Sequence, residues 1–485
     1  MKNQLFQLLT CLFLLIGTQG IAQQYTTGLN LELDLEKYST LDKISSDSAV
    51  IISKSGDIPD FKNLKIEGLT VTNQGPIPMC VVEAFTNATI LALASAEKWT
   101  AKEANQFLLS RKFVYNQNKS YESCEGGLSL YAGGLALQTQ GTALYQDFDR
   151  GLDPHDCQTQ PSDLLREEAM NNRIKGFYPL FDYEEKAKKK QYLVMEALAN
   201  GNPVVVGMSV RENIIDAKEF WTPNEGRTTP LGAHAMVVVG YDNRKGAFEI
   251  MNSWGTKWGN GGYTWISYDD FGQFCDLACI VAPNKIVKGE QPVLAMQGQF
   301  DMKKPYFNKG KKAYKELKVT RKDDFIYALN TKAEIGDMYA LIASKITKDN
   351  YVYVFSVDED GENYHWPRNE KYDREKFYQA TESSLIPYDS VEIVMPGKDR
   401  ALIRRSDGTD NICILYSDQP IENLNERVTL LMRTGGEFKE RFTKAFHDIL
   451  IPTSDIDYLD RKMFYTTQTT SKGTVVPIIL SIEGE

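Results

Sequence analysis

Three residue types that together can perform nucleophilic catalysis occur in the order cysteine, histidine, asparagine, at Cys80, His234 and Asn252. A cysteine at the start of a helix lies at the positive end of the helix dipole, which lowers the pKa of the thiol. A neighbouring histidine would stabilise the thiolate and later protonate a leaving amine. An asparagine oxygen that accepts from one ring nitrogen would aim the other nitrogen at the sulfur. Taken singly, each residue also has a structural interpretation, so only the combination indicates catalysis.

The elements that would position these residues follow from the local pattern. Residues 80–99 are rich in Ala, Leu and Val and lack Gly and Pro, which predicts a helix that is buried on most faces. Residues 161–200 are also expected to be largely helical. Short β-branched or aromatic runs between Gly, Asp and Asn turns then predict antiparallel strands at 203–207, 235–240, 247–251 and 262–267. His234 therefore stands at the opening of a strand, and Asn252 in a turn between two strands.

Three segments carry a family resemblance: Asn73–Phe85, Gly232–Tyr241 and Met251–Tyr263, the last of which reads Asn-Ser-Trp-Gly-x-x-Trp-Gly-x-x-Gly-Tyr from Asn252 onward. With their order and spacing, they resemble the papain-like cysteine peptidase family over residues 55–283. The resemblance implies an α+β fold of two lobes, one helical and one an antiparallel β-barrel. It implies a peptide or protein substrate, with no cofactor and no metal ion.

The same resemblance implies a role for each site residue. Cys80 would be the nucleophile, His234 its acid/base partner and Asn252 the group that orients the ring. The side-chain amide of Gln74 and the backbone N–H of Cys80 would stabilise the oxyanion. Trp254 would shelter the pair formed by His234 and Asn252.

The resemblance also implies the residues that bind substrate. Gly126 and Gly127 would pair with an extended substrate, strand to strand, at an approach that a side chain would obstruct. Leu128, Gly207 and Ala233 fall where the family lines the pocket for the residue two before the scissile bond. One apolar and two very small residues predict a roomy, uncharged pocket that prefers a bulky apolar side chain.

The sequence departs from the family around the nucleophile and in its cysteines. Ile77, Pro78 and Met79 precede Cys80, where the family has Cys-Gly-Ser, and the change alters the loop that carries an oxyanion donor. Cys124 and Cys157 both lack their usual partners, which leaves a disulfide between them as one alternative. Only 57 residues separate Gln23 from Cys80, too few for a long helical propeptide. Latency would therefore come from a short arm or from the C-terminal region.

Composition limits the class of protein. The 485 residues are 42% hydrophobic and 25% charged, which suits a soluble protein of two or three domains. A disordered chain, a collagen-like fibre and a polytopic membrane protein are excluded on this basis. The net charge of −10 and the pI near 5.2 argue against a nucleic-acid partner.

The chain divides into five predicted segments. Residues 1–22 read as a signal peptide cleaved near Ala22, so we expect an extracytoplasmic protein, periplasmic or secreted, with no membrane span. Residues 23–54 form an N-terminal arm or short pro-segment, and 55–283 the papain-like domain. A linker at 284–292 leads to a separate, mainly β accessory domain at 293–485, with one helix expected near 437–450. This domain weakly resembles β-rich accessory domains of unassigned function, and a surface ligand is one candidate partner for it.

These patterns predict a secreted cysteine endopeptidase that acts through a thioester on Cys80. No extra histidine-bearing loop of the dipeptidase type occurs, which favours cleavage within chains over removal of terminal residues. Two alternatives stay open. One is a catalytically weak papain-like binding module with a ligand-recognising C-terminal domain, and the other is a transpeptidase that passes the acyl group to an amine.

Overall fold

The computed structural model describes residues 25–38, 50–53, 58–284, 294–308, 311–367, 383–386, 391–397, 400–469 and 473–484. The expected signal peptide lies outside these residues, as does the expected linker beyond Asn284. The predicted domain boundaries and the signal peptide therefore stay predictions.

Eight helices belong to the N-terminal part of the described chain and two to the C-terminal part. They are α1 (Leu31–Tyr38), α2 (Cys80–Glu97), α3 (Ala101–Gln106), α4 (Lys112–Asn118), α5 (Leu130–Thr139), α6 (Asp163–Ala169), α7 (Ala187–Ala199), α8 (Tyr268–Phe274), α9 (Leu424–Arg433) and α10 (Phe438–Phe446).

Helix α2 confirms the prediction of a buried helix that begins at Cys80. It ends at Glu97, where Lys98 adopts a left-handed conformation with φ 54°. Within the described residues it is the one helix long and apolar enough to cross a membrane, but 83% of that stretch is buried inside the protein. Helix α2 is thus the core helix of a folded lobe.

A seven-stranded antiparallel sheet packs against α2 and follows the order β3-β8-β4-β5-β6-β7, with β2 added to β5. Its strands are β2 (Phe61–Asn63), β3 (Ile174–Phe181), β4 (Val204–Arg211), β5 (Pro230–Asp242), β6 (Ala247–Met251), β7 (Tyr263–Ser267) and β8 (Cys275–Pro283). Val204 and Val206 of β4 join the apolar cluster that contains α7, whereas Val205 joins the cluster around α2. Both faces of the sheet are therefore buried, which explains the continuous apolar runs in its strands. The expected α+β fold, with a helical lobe and a β lobe, is confirmed.

One prediction of secondary structure was wrong in part, and another was confirmed but missed a neighbouring helix. Residues 161–200 contain strand β3 between α6 and α7, where Gly176 and Pro179 disfavour a helix and pairing with β8 buries the apolar side chains. The expected helix near 437–450 ends at Phe446 and is preceded by a second helix, α9, across Gly435 and Gly436.

The C-terminal part is mainly β, as expected, and forms two sheets. The first has the order β1-β17-β13-β9-β21-β20, and the second β11-β12-β22-β19-β14-β15. The strands of the first sheet, including β10 on β9 and β18 on β13, are β1 (Val50–Ser53), β9 (Leu294–Asn308), β10 (Lys311–Glu316), β13 (Met338–Ser344), β17 (Val391–Met395), β18 (Leu402–Ile403), β20 (Ile456–Tyr458) and β21 (Met463–Thr469). Those of the second, including β16 on β14, are β11 (Val319–Asp323), β12 (Ile326–Leu329), β14 (Asn350–Asp358), β15 (Gly361–Trp366), β16 (Leu385–Ile386), β19 (Asp410–Ser417) and β22 (Val475–Ile482). Tyr416 lies with its ring centroid 5.4 Å from that of Tyr465 and 6.4 Å from that of Phe300, so the sheets pack face to face.

The C-terminal part is joined to the papain-like part by a buried polar contact. The ammonium of Lys175 on β3 donates to the carboxylate of Asp418 at 2.8 Å, to the carbonyl of Asp418 at 2.9 Å and to that of Asp349 at 3.0 Å. The hydroxyls of Tyr178 and Tyr351 lie 3.3 Å apart beside it. Three acceptors satisfy the buried ammonium, so this contact holds the two parts in one arrangement.

Candidate active site

His234 and Asn252 form a buried pair at the edge of the β lobe. Nε2 of His234 lies 2.8 Å from Oδ1 of Asn252, and the backbone N–H of Ser253 donates to the same oxygen at 2.7 Å. An atom that accepts from a backbone N–H is the amide oxygen, so Nε2 of the ring must carry the proton. The neutral ring then has its lone pair on Nδ1, which is the nitrogen that can accept a proton from a thiol.

Trp254 covers this pair. Its ring stacks on that of His234 with centroids 4.8 Å apart and an interplanar angle of 29°, and the tryptophan is 1% exposed. Excluding water from the hydrogen bond between His234 and Asn252 strengthens it, because the local dielectric is low. Trp254 thus lies over the pair formed by His234 and Asn252 and shields it from water.

Cys80 is the first residue of α2, and its thiol lies against the strand that carries His234. The nearby backbone N–H groups of Ala235 and Gly28 lower the pKa of the thiol, although by less than burial raises it. Nδ1 of His234 is buried and, within the described part of the chain, has no hydrogen-bond partner. Nδ1 of His234, the nitrogen that can accept a proton, therefore has no hydrogen-bond partner there. His234 itself lies on the strand that packs against the thiol.

The protonation state of this arrangement differs from the expectation. Burial raises the pKa of the Cys80 thiol to about 11, although the start of a helix was expected to lower it. Burial also lowers the pKa of His234 to about 4, although the hydrogen bond that Nε2 donates to Asn252 acts in the opposite direction. Loss of hydration outweighs the helix dipole here, so the covered site holds a neutral thiol and a neutral imidazole.

The cover over Cys80 is the N-terminal arm of the same chain. The backbone N–H of Leu29 donates to the carbonyl of Ala233 at 3.2 Å, and that of Leu128 donates to the carbonyl of Gly28 at 3.1 Å. Asn30 completes the ladder by donating to the carbonyl of Leu128 at 3.0 Å. The arm therefore lies in the cleft as an extended strand, parallel to Leu128.

The two glycines expected to face a substrate differ in position. A Cβ on Gly127 would collide with the carbonyl of Gly28, so Gly127 is where the arm approaches most closely. The carbonyl of Gly126 instead accepts a hydrogen bond from the hydroxyl of Tyr115 at 2.6 Å, within the lobe. Backbone pairing with the arm is made by Leu128, one residue later than expected.

The side chain of Leu29 occupies an apolar pocket. A Cβ on Gly207 would lie 2.8 Å from Cδ2 of Leu29, and 3.5 Å from Leu130 and 3.7 Å from Leu277. Leu29 is 8% exposed and belongs to the same apolar cluster as Leu128, with Ala233 packed against it. The structure thus gathers Leu128, Gly207 and Ala233 as expected. Leu130 and Leu277 were missed; Leu277 lies opposite Gly207 on the paired strands β8 and β4, which no local sequence pattern indicates.

Gln74 contacts the arm at the other end of the cleft. Its Nε2 donates to the carbonyl of Thr26 at 3.3 Å and to that of Ile77 at 3.0 Å, and its Oε1 accepts from the hydroxyl of Ser253 at 2.6 Å. Nε1 of Trp254 also donates to the carbonyl of Thr26, at 3.2 Å. The side-chain amide of Gln74, which was expected to stabilise the oxyanion, thus donates to a carbonyl of the arm.

The arm runs through the cleft in the direction opposite to a substrate. In a substrate, the residue in the apolar pocket comes before the scissile carbonyl in the chain. Here Leu29 fills the pocket, but the carbonyl beside Gln74 belongs to Thr26, which comes before Leu29. Because the order is reversed, the arm presents no peptide bond to Cys80 in a productive orientation.

Cys124 and Cys157 form a disulfide with Cα atoms 5.7 Å apart. This is the alternative that the sequence left open. Cys124 lies two residues before Gly126, so the bridge ties down the loop that forms one wall of the cleft. Among the described residues, no group of three or more His, Cys, Asp or Glu side chains could hold a metal ion.

Comparison with known proteins agrees with this geometry. Residues 68–282 match the model of the papain family cysteine proteases. An uncharacterised peptidase C1-like protein of Acanthamoeba polyphaga mimivirus is 26% identical over 212 residues, which are 42% of this chain and 65% of the relative. A cysteine protease of Arabidopsis thaliana is 27% identical over 199 residues, 40% of this chain and 50% of the relative. The chain thus spans between half and two thirds of the length of these relatives.

Among solved structures, xylellain, a cysteine protease from Xylella fastidiosa, is 23% identical. The alignment covers 50% of this chain and 96% of xylellain, with a TM-score of 0.40. The sequence similarity to the papain family extends over residues 68–282.

Proposed function

We propose that this chain, whose residues 68–282 are papain-like, is an endopeptidase made in a latent form with its own residues 25–31 in the cleft. The observation that carries the proposal is the ordered set around His234. Asn252 holds one ring nitrogen, the other nitrogen is unpartnered on the strand that contacts Cys80, and Leu29 fills the adjoining pocket.

In the proposed reaction the arm first leaves the cleft. Water then reaches the site, the pKa of Cys80 falls and that of His234 rises, so proton transfer from sulfur to Nδ1 becomes favourable. The thiolate attacks the substrate carbonyl, and Gln74 with the backbone N–H of Cys80 stabilises the oxyanion. Nδ1 returns its proton to the leaving amine, and water hydrolyses the thioester.

Cleavage within chains, rather than removal of terminal residues, is supported by the path of the arm. Past Leu29 the chain continues for nine described residues, through Tyr38, and its helix α1 packs against α5, where Asp34 accepts from the backbone N–H of Leu130. An enzyme that removes one or two residues from an amino terminus would need a barrier at this end of the cleft.

The pocket supports a preference for Leu or another bulky apolar residue two positions before the scissile bond. The occupant Leu29 is itself such a residue. We also propose that the protein acts outside the cytoplasm, since the N-terminal sequence reads as a signal peptide and the disulfide between Cys124 and Cys157 suits an oxidising compartment.

The test is digestion of a diverse peptide library by protein from which the arm has been removed. We expect cleavage after a residue that follows Leu or Phe, at internal bonds, and none with Cys80→Ala. Alkylation of Cys80 near pH 6 should be fast and should become slow in His234→Ala. If Cys80 reacts like an ordinary thiol and no peptide is cut, the chain is a binding module and the proposal fails.

A further inference from the structure

The N-terminal arm also contacts the C-terminal part of the protein. Strand β1 (Val50–Ser53) pairs antiparallel with β17, in a register that sets Val50 opposite Val394 and Ser53 opposite Val391. On its other side, β17 pairs with β13 of the same sheet. Strand β1 is therefore the edge strand of a sheet that is otherwise built entirely from residues after 293.

In the sequence, β1 lies between the residues that occupy the cleft and the papain-like part. Residues 25–38 come before β1 and lie in or beside the cleft, and the papain-like part begins after it, where Phe61 pairs with Asp242. The arm thus goes from the cleft to the C-terminal sheet and returns to the papain-like part. One segment is attached at two places.

The edge of β17 is close to the junction of the two parts. Glu392 of β17 lines a cavity of about 940 Å³ together with Lys98 from the end of α2 and Pro283 from the end of β8. Asp418, which follows β19 of the second sheet, lines the same cavity, and its ion pair with Lys175 on β3 ties the C-terminal part to the papain-like part there. The second attachment point therefore has a set position with respect to Cys80.

We propose that the edge of β17 is a strand-binding site whose ligand is residues 50–53 of the arm. The C-terminal domain then serves as the second anchor of the inhibitory segment. An unpaired sheet edge presents a row of N–H and C=O groups that an extended peptide can satisfy. Two linked attachments hold a segment more tightly than either alone, because release of one end leaves the other at high effective concentration. The pairing of β1 with β17 requires no catalysis. Only its role in holding an inhibitory segment rests on the proposed function.

The proposal separates two stages of activation. A cut between Ser53 and Ile58 frees the arm from the papain-like part but leaves both attachments intact, so the arm stays bound. A cut within residues 39–49 divides the arm into two pieces, each held by a single attachment. We therefore expect a cut of the second kind to release the cleft faster than the first.

The test uses the full chain with Cys80→Ala and a specific protease site inserted between Ser53 and Ile58. After cleavage, release of the arm is timed by size exclusion and mass spectrometry, with excess peptide of residues 25–38 present to prevent rebinding. The variant is Ile51→Pro with Ile52→Pro, because neighbouring N–H groups of a strand point to opposite sides and proline has none. The matched control is Ile51→Val with Ile52→Val, which keeps both N–H groups.

We expect the proline variant to release the arm at least ~10-fold faster than the control, a smaller effect than the usual gain from linked binding because β1 has only four residues. Equal release rates for the two variants, whether fast or slow, would overturn the proposal. Since Cys80→Ala removes catalysis, this result does not depend on peptidase activity. Failure of the library digestion would leave the strand site standing.

Discussion

The side chain of Leu29 fills the apolar pocket and keeps the arm in the cleft, so Leu29→Ala should weaken the binding of the arm. The substitution removes three carbons from a side chain that is 8% exposed, while the backbone ladder to Ala233 and Leu128 stays intact. At about 0.8 kcal/mol for each buried CH₂, the loss is about 2 kcal/mol. The cavity left in the apolar pocket adds to this loss, so about 2 kcal/mol is a lower bound.

A change of about 2 kcal/mol corresponds to a ~30-fold increase in the fraction of molecules with an open cleft. When opening and closing are faster than labelling, the alkylation rate of Cys80 is proportional to that fraction. We therefore expect iodoacetamide to label Cys80 at least ~30-fold faster in Leu29→Ala than in the wild-type chain, as followed by mass spectrometry of the peptide that contains it.

Two controls accompany this measurement. Leu29→Met keeps the volume of the side chain and should label near the wild-type rate. Glu32→Gln changes an exposed residue of the arm and should also have no effect. A wild-type labelling rate in Leu29→Ala, or an equal acceleration in Glu32→Gln, would refute the assignment of Leu29 as the main plug of the pocket.

Three further predictions test the pocket, the junction and the pH dependence. Gly207→Ala should lower kcat/KM about tenfold for peptides with Leu in the pocket and spare those with Ala, because the new Cβ would lie 2.8 Å from the position of Leu29 Cδ2. Lys175→Met should lower the free energy of unfolding in urea by about 1 kcal/mol, since the carboxylate of Asp418, whose side chain is 25% exposed, loses its cation but can be hydrated. Asp34 accepts from the backbone N–H groups of Leu130 and Tyr131 at 2.7 and 2.8 Å, and burial raises its pKa to about 6, against about 3.9 when free. The docked arm therefore binds an extra proton, so docking should weaken as the pH rises from about 4 to about 6 and stay constant above. Arm release from the cleaved Cys80→Ala protein should follow that curve, and Asp34→Asn should flatten it.

The reactive residues could be predicted from the sequence because each of them belongs to a local sequence pattern. Cys80 opens a helix that its own apolar, Gly-free sequence dictates, and Asn252 lies in a turn whose glycines and tryptophans are contiguous. The pocket residues Leu128, Gly207 and Ala233 were expected only from the resemblance to the papain-like family. Leu130 and Leu277 were missed because their place depends on α5 and on the pairing of β8 with β4.

What the sequence alone determined is the set of reactive groups and the elements that carry them, since helix starts, turns and alternating strands depend on neighbouring residues. Only the tertiary structure decided the protonation state of Cys80, because a thiol pKa follows from which groups exclude water around it. Likewise, only the structure assigned a role to the polar arm. The side chain of Leu29 packs into a pocket at Gly207, more than 170 residues later in the sequence. The pairing of β1 with β17, more than 300 residues apart, has the same origin, because a strand edge accepts any suitable backbone and the fold alone selects which segment reaches it.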